Sequence, residues 1–171
     1  HQLVLAGVHE RRGQWTQAAT IYHRVLSDAD LAGASYSGER GVNRAEIEVV
    51  DRLRVLLSKG GRGSCAEFDA AFDAADQALG NGTAAELEAL TQKYPVARNL
   101  PGLWLRIAQK QADQPKAEAR ALELGVQAAE RMSDAPAEIV GELNGRLIEN
   151  LLARNLVIAA ADAVRRAKDR F

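Results

Sequence analysis

Apolar residues recur along this chain at intervals of three and four, in runs separated by glycine, proline and small polar residues. Leu3 to Arg12 reads as a first helix that stops at Gly13. Thr16 is placed as the N-cap of a second, which carries Ala18, Ile21, Tyr22, Val25 and Leu26 on one face. Ser27 to Gly41 is rich in Gly, Ser, Asp and Ala and has little periodicity, so 27–43 is expected to be an irregular insertion, a long loop. From about Asn43 a strong helix follows, with Ile47, Val50, Leu53, Arg54 and Leu57 as its stripe. The glycine-rich stretch Lys59 to Ser64 ends it, and Ser64 is placed as the N-cap of a helix bearing Phe68, Phe72, Ala75 and Leu79. Gly80-Asn81-Gly82-Thr83 reads as a tight turn whose Thr83 caps a helix through Leu87 and Leu90 to Tyr94. Pro101 opens the next, with Leu103, Trp104, Ile107 and Ala108, and Pro115 takes the first position of a long helix ending near Met132. Ser133 to Pro136 marks another stop and restart. A helix then runs from Ala137 through Ile139, Leu143, Leu147 and Leu151, breaks near Asn155, and gives a final helix to Phe171.

This segmentation predicts an all-α protein of about nine helices, with no strand, arranged as antiparallel hairpins in a single helical-repeat domain over residues 1–171. All four prolines, Pro95, Pro101, Pro115 and Pro136, fall at predicted helix ends. Inside a helix each would cost roughly 3 kcal/mol, so their agreement supports the boundaries. Hydrophobic residues make up 47% of the chain but aromatics only 5%, a composition of alanine and leucine that suits close helix packing better than β-sandwiches.

The first pair of helices carries a further pattern. Ala6, Gly13, Ala18, Tyr22 and Val25 stand at relative offsets 0, 7, 12, 16 and 19. Small residues let two helices approach, Gly13 turns the chain, and Tyr22 and Val25 fill the gap to the next hairpin. This resembles the tetratricopeptide repeat, a helix hairpin of about 34 residues. Later pairs match more loosely: Leu87, Leu90 and Tyr94-Pro95; Trp104, Ile107 and Ala108 with Ala121, Gly125 and Ala128; and a last pair from Ala137 and Leu156. The resemblance implies an α-solenoid with an irregular middle, whose concave surface is lined by the first helix of each hairpin. By that likeness the partner-binding positions are Leu3, Gly7, Glu10 and Arg11 in the first hairpin, and Leu105, Gln109, Ala112 and Asp113 in the one opening at Pro101. The order of Gly13-Gln14-Trp15, an irregular insertion and Tyr94-Pro95 also looks like helical portions of large bacterial proteins that carry pyrroloquinoline-quinone-type β-propellers. That likeness places any propeller and its quinone outside this chain.

Composition narrows the chemistry. A formal charge of −1 supplies no field for phosphate backbones, so nucleic acid is not expected as a partner. The basic run Arg165, Arg166, Lys168 and Arg170 reads as a cationic last turn that complements the helix dipole. No apolar run approaches the length of a membrane span. One cysteine, Cys65, excludes an internal disulfide and leaves the compartment undecided. The chain begins at His1-Gln2-Leu3 already in helical phase, as expected of a piece of a longer protein.

Candidate chemical groups read as structural. His9 and His23 fall on successive helices of one hairpin, yet His-Glu-x-x-His spacing is missing, and His9 is expected to pack between helices. Cys65 at a helix start has no histidine placed beside it in sequence. Gly60 to Ser64 precedes a helix but lacks the Lys-Ser/Thr pair of a phosphate loop. The carboxylates Glu86/Glu88 and Asp69/Asp73/Asp76 read as solvated helix faces, and the aromatics, Trp104 included, as core packing. Asn81-Gly82-Thr83 matches a glycosylation sequon, although a turn with an N-cap already accounts for it. The expectation is therefore a non-catalytic scaffold for a protein or peptide partner, without cofactor or metal, with self-association through its end hairpins. The alternatives are a structural spacer beside a propeller and a helical domain that binds a small ligand.

Overall fold

A computed structural model of the chain describes residues 1–38, 41–132 and 134–169. Among these the periodic runs form ten α-helices: α1 (Gln2–Arg11), α2 (Trp15–Ser27), α3 (Ala29–Gly33), α4 (Ala45–Gly60), α5 (Ala66–Leu79), α6 (Ala84–Lys93), α7 (Leu100–Lys110), α8 (Pro115–Glu130), α9 (Ala137–Ala153) and α10 (Val157–Lys168). The fold is all-α. Strands were not expected, yet β1 (Ser35–Gly38) and β2 (Gly41–Arg44) pair antiparallel, with Ser35 opposite Arg44 and Tyr36 opposite Asn43. Strands of four residues are too short to display a clear period of two, which is why the stretch reads as loop. Asp28 caps α3 by accepting hydrogen bonds from the Asp30 and Leu31 amides at 3.0 and 3.1 Å. The Ala45 amide donates to Ala34 O at 2.8 Å and closes the base of the ribbon.

The chain divides into two compact units, His1–Ala78 with Gln92–Ala97 and Leu79–Thr91 with Arg98–Phe171. In the first, α1 and α2 form a hairpin. Gly13 lies in the left-handed region at φ 69°, and the Gln14 amide reaches back to His9 O at 2.9 Å. This backbone closure satisfies carbonyls at the end of α1 and redirects the chain, and only glycine adopts it without cost. Because the turn itself sets the start of α2, Thr16 is not its cap: Gln14 holds the cap position and makes no side-chain cap bond. Ala6 and Ala18 are fully buried where the helices meet, and Tyr22 and Val25 are buried on the same face of α2, which packs on α4. The buried stripe of α4 is Ala45, Val49, Leu53 and Leu56, whereas Ile47 is 51% exposed. The expected stripe shares only Leu53 with it. The adjacent apolar pairs Val49-Val50 and Leu56-Leu57 lie on either side of Leu53, so the period alone fits two faces about 100° apart. Ser64 is not an N-cap either; it sits in a 3-10 turn, Arg62–Cys65, and its hydroxyl donates to Gly61 O at 2.6 Å.

The second unit follows the punctuation of the sequence. Thr83 caps α6 in a reciprocal box: its hydroxyl accepts from the Glu86 amide at 3.3 Å, while the Glu86 carboxylate accepts from the Thr83 amide at 2.8 Å. These bonds, the backbone one foremost, hold the Glu86 carboxyl below its ordinary value. Pro101 falls in the first turn of α7, Pro115 opens α8 and Pro136 caps α9, while Pro95 follows α6. Helices α7, α8, α9 and α10 pack in succession. Asn155, at φ 58°, ends α9 as Gly13 ends α1, with the Leu156 amide on Leu151 O at 2.9 Å. The last helix ends at Lys168, and the expected extension to Phe171 reaches Arg170 and Phe171, which lie outside the described residues, as does Ser133.

Candidate functional site

The residues expected to line a groove separate into packed and accessible ones. Leu3 and Leu105 are buried at 7% and 4% exposure and Gly7 is buried with them, so these three present little surface to a partner. The period places an apolar residue on one side of a helix, and both leucines fall on the side that packs. Arg11, Gln109, Ala112 and Asp113 are exposed. Gln109 donates to Glu142 across to α9 at 3.5 Å.

Glu10 belongs to a polar cluster that joins three helices of the first unit. Arg52 on α4 pairs with Glu10 on α1 at 3.2 Å and with Glu48, one turn earlier, at 2.7 Å. The buried Tyr22 hydroxyl of α2 lies beside Glu10 and Arg52 without closing a well-aligned hydrogen bond to either. Burial pushes the Tyr22 phenol up, and the Glu10 charge adds to the push. Burial works against the Arg52 charge, but the hydrogen bond to Glu48 and the Tyr22 contact outweigh it and hold the guanidinium protonated. All three ionic side chains are less than a third exposed, so removing one leaves partly desolvated charge behind. Arg52→Met is expected to destabilise the protein by about 2 kcal/mol, reduced from the fully buried case by residual solvent. Adding Glu10→Gln should recover part of that loss, and urea unfolding of the single and double variants measures the coupling. Glu10 thus serves the fold as well as the surface.

His9 and His23 do not come together. His9 is partly buried at the hairpin turn, its Nδ1 2.7 Å from Gln14 Oε1. His23 instead packs edge-on to Phe68 at 5.2 Å and against Tyr94 at 5.3 Å, and its buried Nε2 has no partner among the described residues. Burial, seconded by the Lys93 ammonium, holds the imidazole below its ordinary value of 6.5. The folded state therefore keeps a neutral ring. Its contribution to stability is complete above pH 6.5 and is lost as pH falls from there through the lower folded value. Unfolding free energy measured against pH should decline over that window, and His23→Phe should flatten the decline. Cys65 is buried, and burial pushes its thiol up, the opposite of an activated nucleophile. Among the described residues no three His, Cys, Asp or Glu side chains group as a metal site, and no helix is long and apolar enough to cross a membrane.

The second unit holds a concave feature that the sequence reading did not single out. Between α6 and the α7–α8 hairpin lies a pocket of about 60 Å³ lined by Glu88, Trp104, Gln111, Ala117, Arg120, Ala121 and Leu124. Trp104, expected in the core, is only partly buried and is one of the residues lining this pocket. Gln111 donates to the Glu88 carboxylate, a second lining residue, at 3.3 Å. The signal was in the spacing. Trp104 and Gln111 are seven residues apart, and Ala117, Arg120, Ala121 and Leu124 form a stripe at intervals of three, one and three. The second set therefore shares a face of α8, and Gln111 follows the last residue of α7. Comparison with known proteins adds no identity: no protein family, no curated protein and no solved structure matches this chain.

Proposed function

We propose that this chain is a non-catalytic protein-interaction module whose α6–α8 pocket receives a side chain of a protein or peptide segment. The pocket carries the reading. Its lining combines the apolar Trp104, Ala117, Ala121 and Leu124 with a carboxylate, an amide and a guanidinium at Glu88, Gln111 and Arg120. An apolar lining with a few orienting polar groups is the usual form of a recognition pocket, and an accessible tryptophan is a frequent anchor at interfaces. Glu88 and Arg120 offset each other in charge, which favours a neutral or bipolar side chain. The tetratricopeptide-like first hairpin agrees with a binding role for the helical framework.

A photo-crosslinking residue in place of the exposed Arg120, expressed in source cells, tests the proposal. The expected result is a discrete protein adduct that Ala117→Leu, which narrows the pocket, abolishes. Adducts that survive Ala117→Leu unchanged, or no adduct at all, would contradict it. A structural spacer attached to a β-propeller is the second reading. Leu152, Leu156, Val157 and Ile158, all at least 40% exposed around the α9–α10 turn, favour it because neighbouring exposed apolar residues of this size are commonly covered by protein. In that case Val157→Ser with Ile158→Ser, and not Ala117→Leu, removes the contact.

A further inference from the structure

The chain contains two Asn-Gly pairs, Asn81-Gly82 and Asn144-Gly145, and the fold treats them in opposite ways. Asn81 is exposed in the turn between α5 and α6, and its side-chain amide has no partner among the described residues. Gly82 lies two residues before the first residue of α6, and its amide makes a single turn bond to Leu79 O at 3.1 Å. Asn144 is buried at 6% exposure in the middle of α9, and its amide donates to Val140 O at 2.8 Å. Gly145 continues that helix.

The geometry points to Asn81 as a site of spontaneous covalent modification, where the side-chain amide becomes a carboxylate, with Asn144 protected from the same reaction by its helix. The Gly82 amide nitrogen loses its proton to hydroxide and attacks the Asn81 side-chain carbonyl carbon. A bond forms between that nitrogen and carbon, the bond from the carbon to the side-chain amide nitrogen breaks as that nitrogen takes a proton from water, and ammonia leaves with hydroxide regenerated. Water then opens the five-membered imide at either carbonyl, giving aspartate or, where the chain continues through the side chain, isoaspartate. No oxidant or reductant is required. Glycine following asparagine permits the attack because no Cβ blocks it, and at Asn81 only the bond to Leu79 O must be given up. At Asn144 the helix must open first, since a helical backbone holds the next amide away from the side-chain carbonyl and ties it to an earlier carbonyl.

The two products differ in effect. Lys110 Nζ donates to Asn81 O at 3.3 Å, so an aspartate side chain at this position gains a cation nearby and sits before the positive end of α6. Isoaspartate inserts a methylene into the backbone two residues before the Thr83 cap and shifts that box.

The test is timed incubation of the full chain in mildly alkaline buffer, followed by peptide mass spectrometry and isoaspartate assay, with a chain kept unfolded in urea alongside. The expected result in the folded protein is conversion at Asn81 faster than at Asn144 by more than about tenfold, the difference vanishing in urea. Asn81→Gln should abolish the conversion, and Asn81→Asp should melt no lower than the starting protein. Equal rates at the two sites in the folded chain would overturn the proposal, and so would an Asn81 that stays intact while the unfolded chain reacts.

Discussion

Replacing Gly125 with valine is expected to destabilise the second unit by about 3 kcal/mol, the upper part of the usual range for overpacking a tight contact. Gly125 is buried on α8 where that helix meets both α7 and α9. A Cβ at this position would lie 3.0 Å from Trp104 Cβ and 2.6 Å from Leu143 Cδ2. The leucine methyl can rotate aside, but Trp104 Cβ is fixed to its backbone and cannot move without moving α7. Even alanine should cost stability, because its helix propensity advantage of about 1 kcal/mol is outweighed by the clash. Trp104 fluorescence in a Trp15→Phe background, followed through urea unfolding, reports this loss from the residue that the substitution strikes.

The second large effect belongs to the first unit. Phe68→Ala is expected to cost about 3–5 kcal/mol, the range for removing a buried ring. Phe68 is 2% exposed and meets His23 and Tyr94 edge to face, with ring centroids 5.2 and 5.4 Å apart. Phe72 meets the same tyrosine at 5.6 Å. Three elements far apart in sequence converge on these rings, so truncation opens a cavity that α2, α5 and the 92–97 segment cannot all close. Phe68→Leu should recover much of the loss, which separates volume from ring geometry. The midpoint of Trp15 fluorescence in urea, in a Trp104→Phe background, measures both.

Much of this architecture was legible because its signals are local. Prolines mark helix ends for a steric reason that no distant contact overrides, and the Thr83–Glu86 box needs only four consecutive residues. Gly13 was likewise legible, since a left-handed turn favours glycine wherever it occurs. Legibility failed where the answer depends on partners distant in sequence. The face of α4 is chosen by what packs on it, so the stripe through Ile47, Val50 and Leu57 and the stripe through Val49 and Leu56 could not be ranked from spacing. The ribbon of β1 and β2 depends on cross-strand pairing over too few residues to leave a pattern. The burial of Leu3 and Leu105 was hard to read for a related reason. Leu3 and Leu105 have the apolar character that either packing or a binding face requires, and only the neighbouring helices decide between them. Trp104 differs the other way: its bulk suggests core, but it stands one residue off the buried Leu103–Ile107 side of α7, is only partly buried and lines the pocket.

The central physical claim is that helix hairpins, set by their turns and prolines, account for nearly all ordered backbone in this chain. Backbone chemical shifts of the uniformly labelled protein test it residue by residue. Helical shifts are predicted across the spans of α1 to α10, extended shifts only at 35–38 and 41–44 among longer runs, and breaks at Gly13, Pro95 and Asn155. Extended shifts through 100–110 or 115–130, or an uninterrupted helix through Pro95 or Pro136, would contradict it.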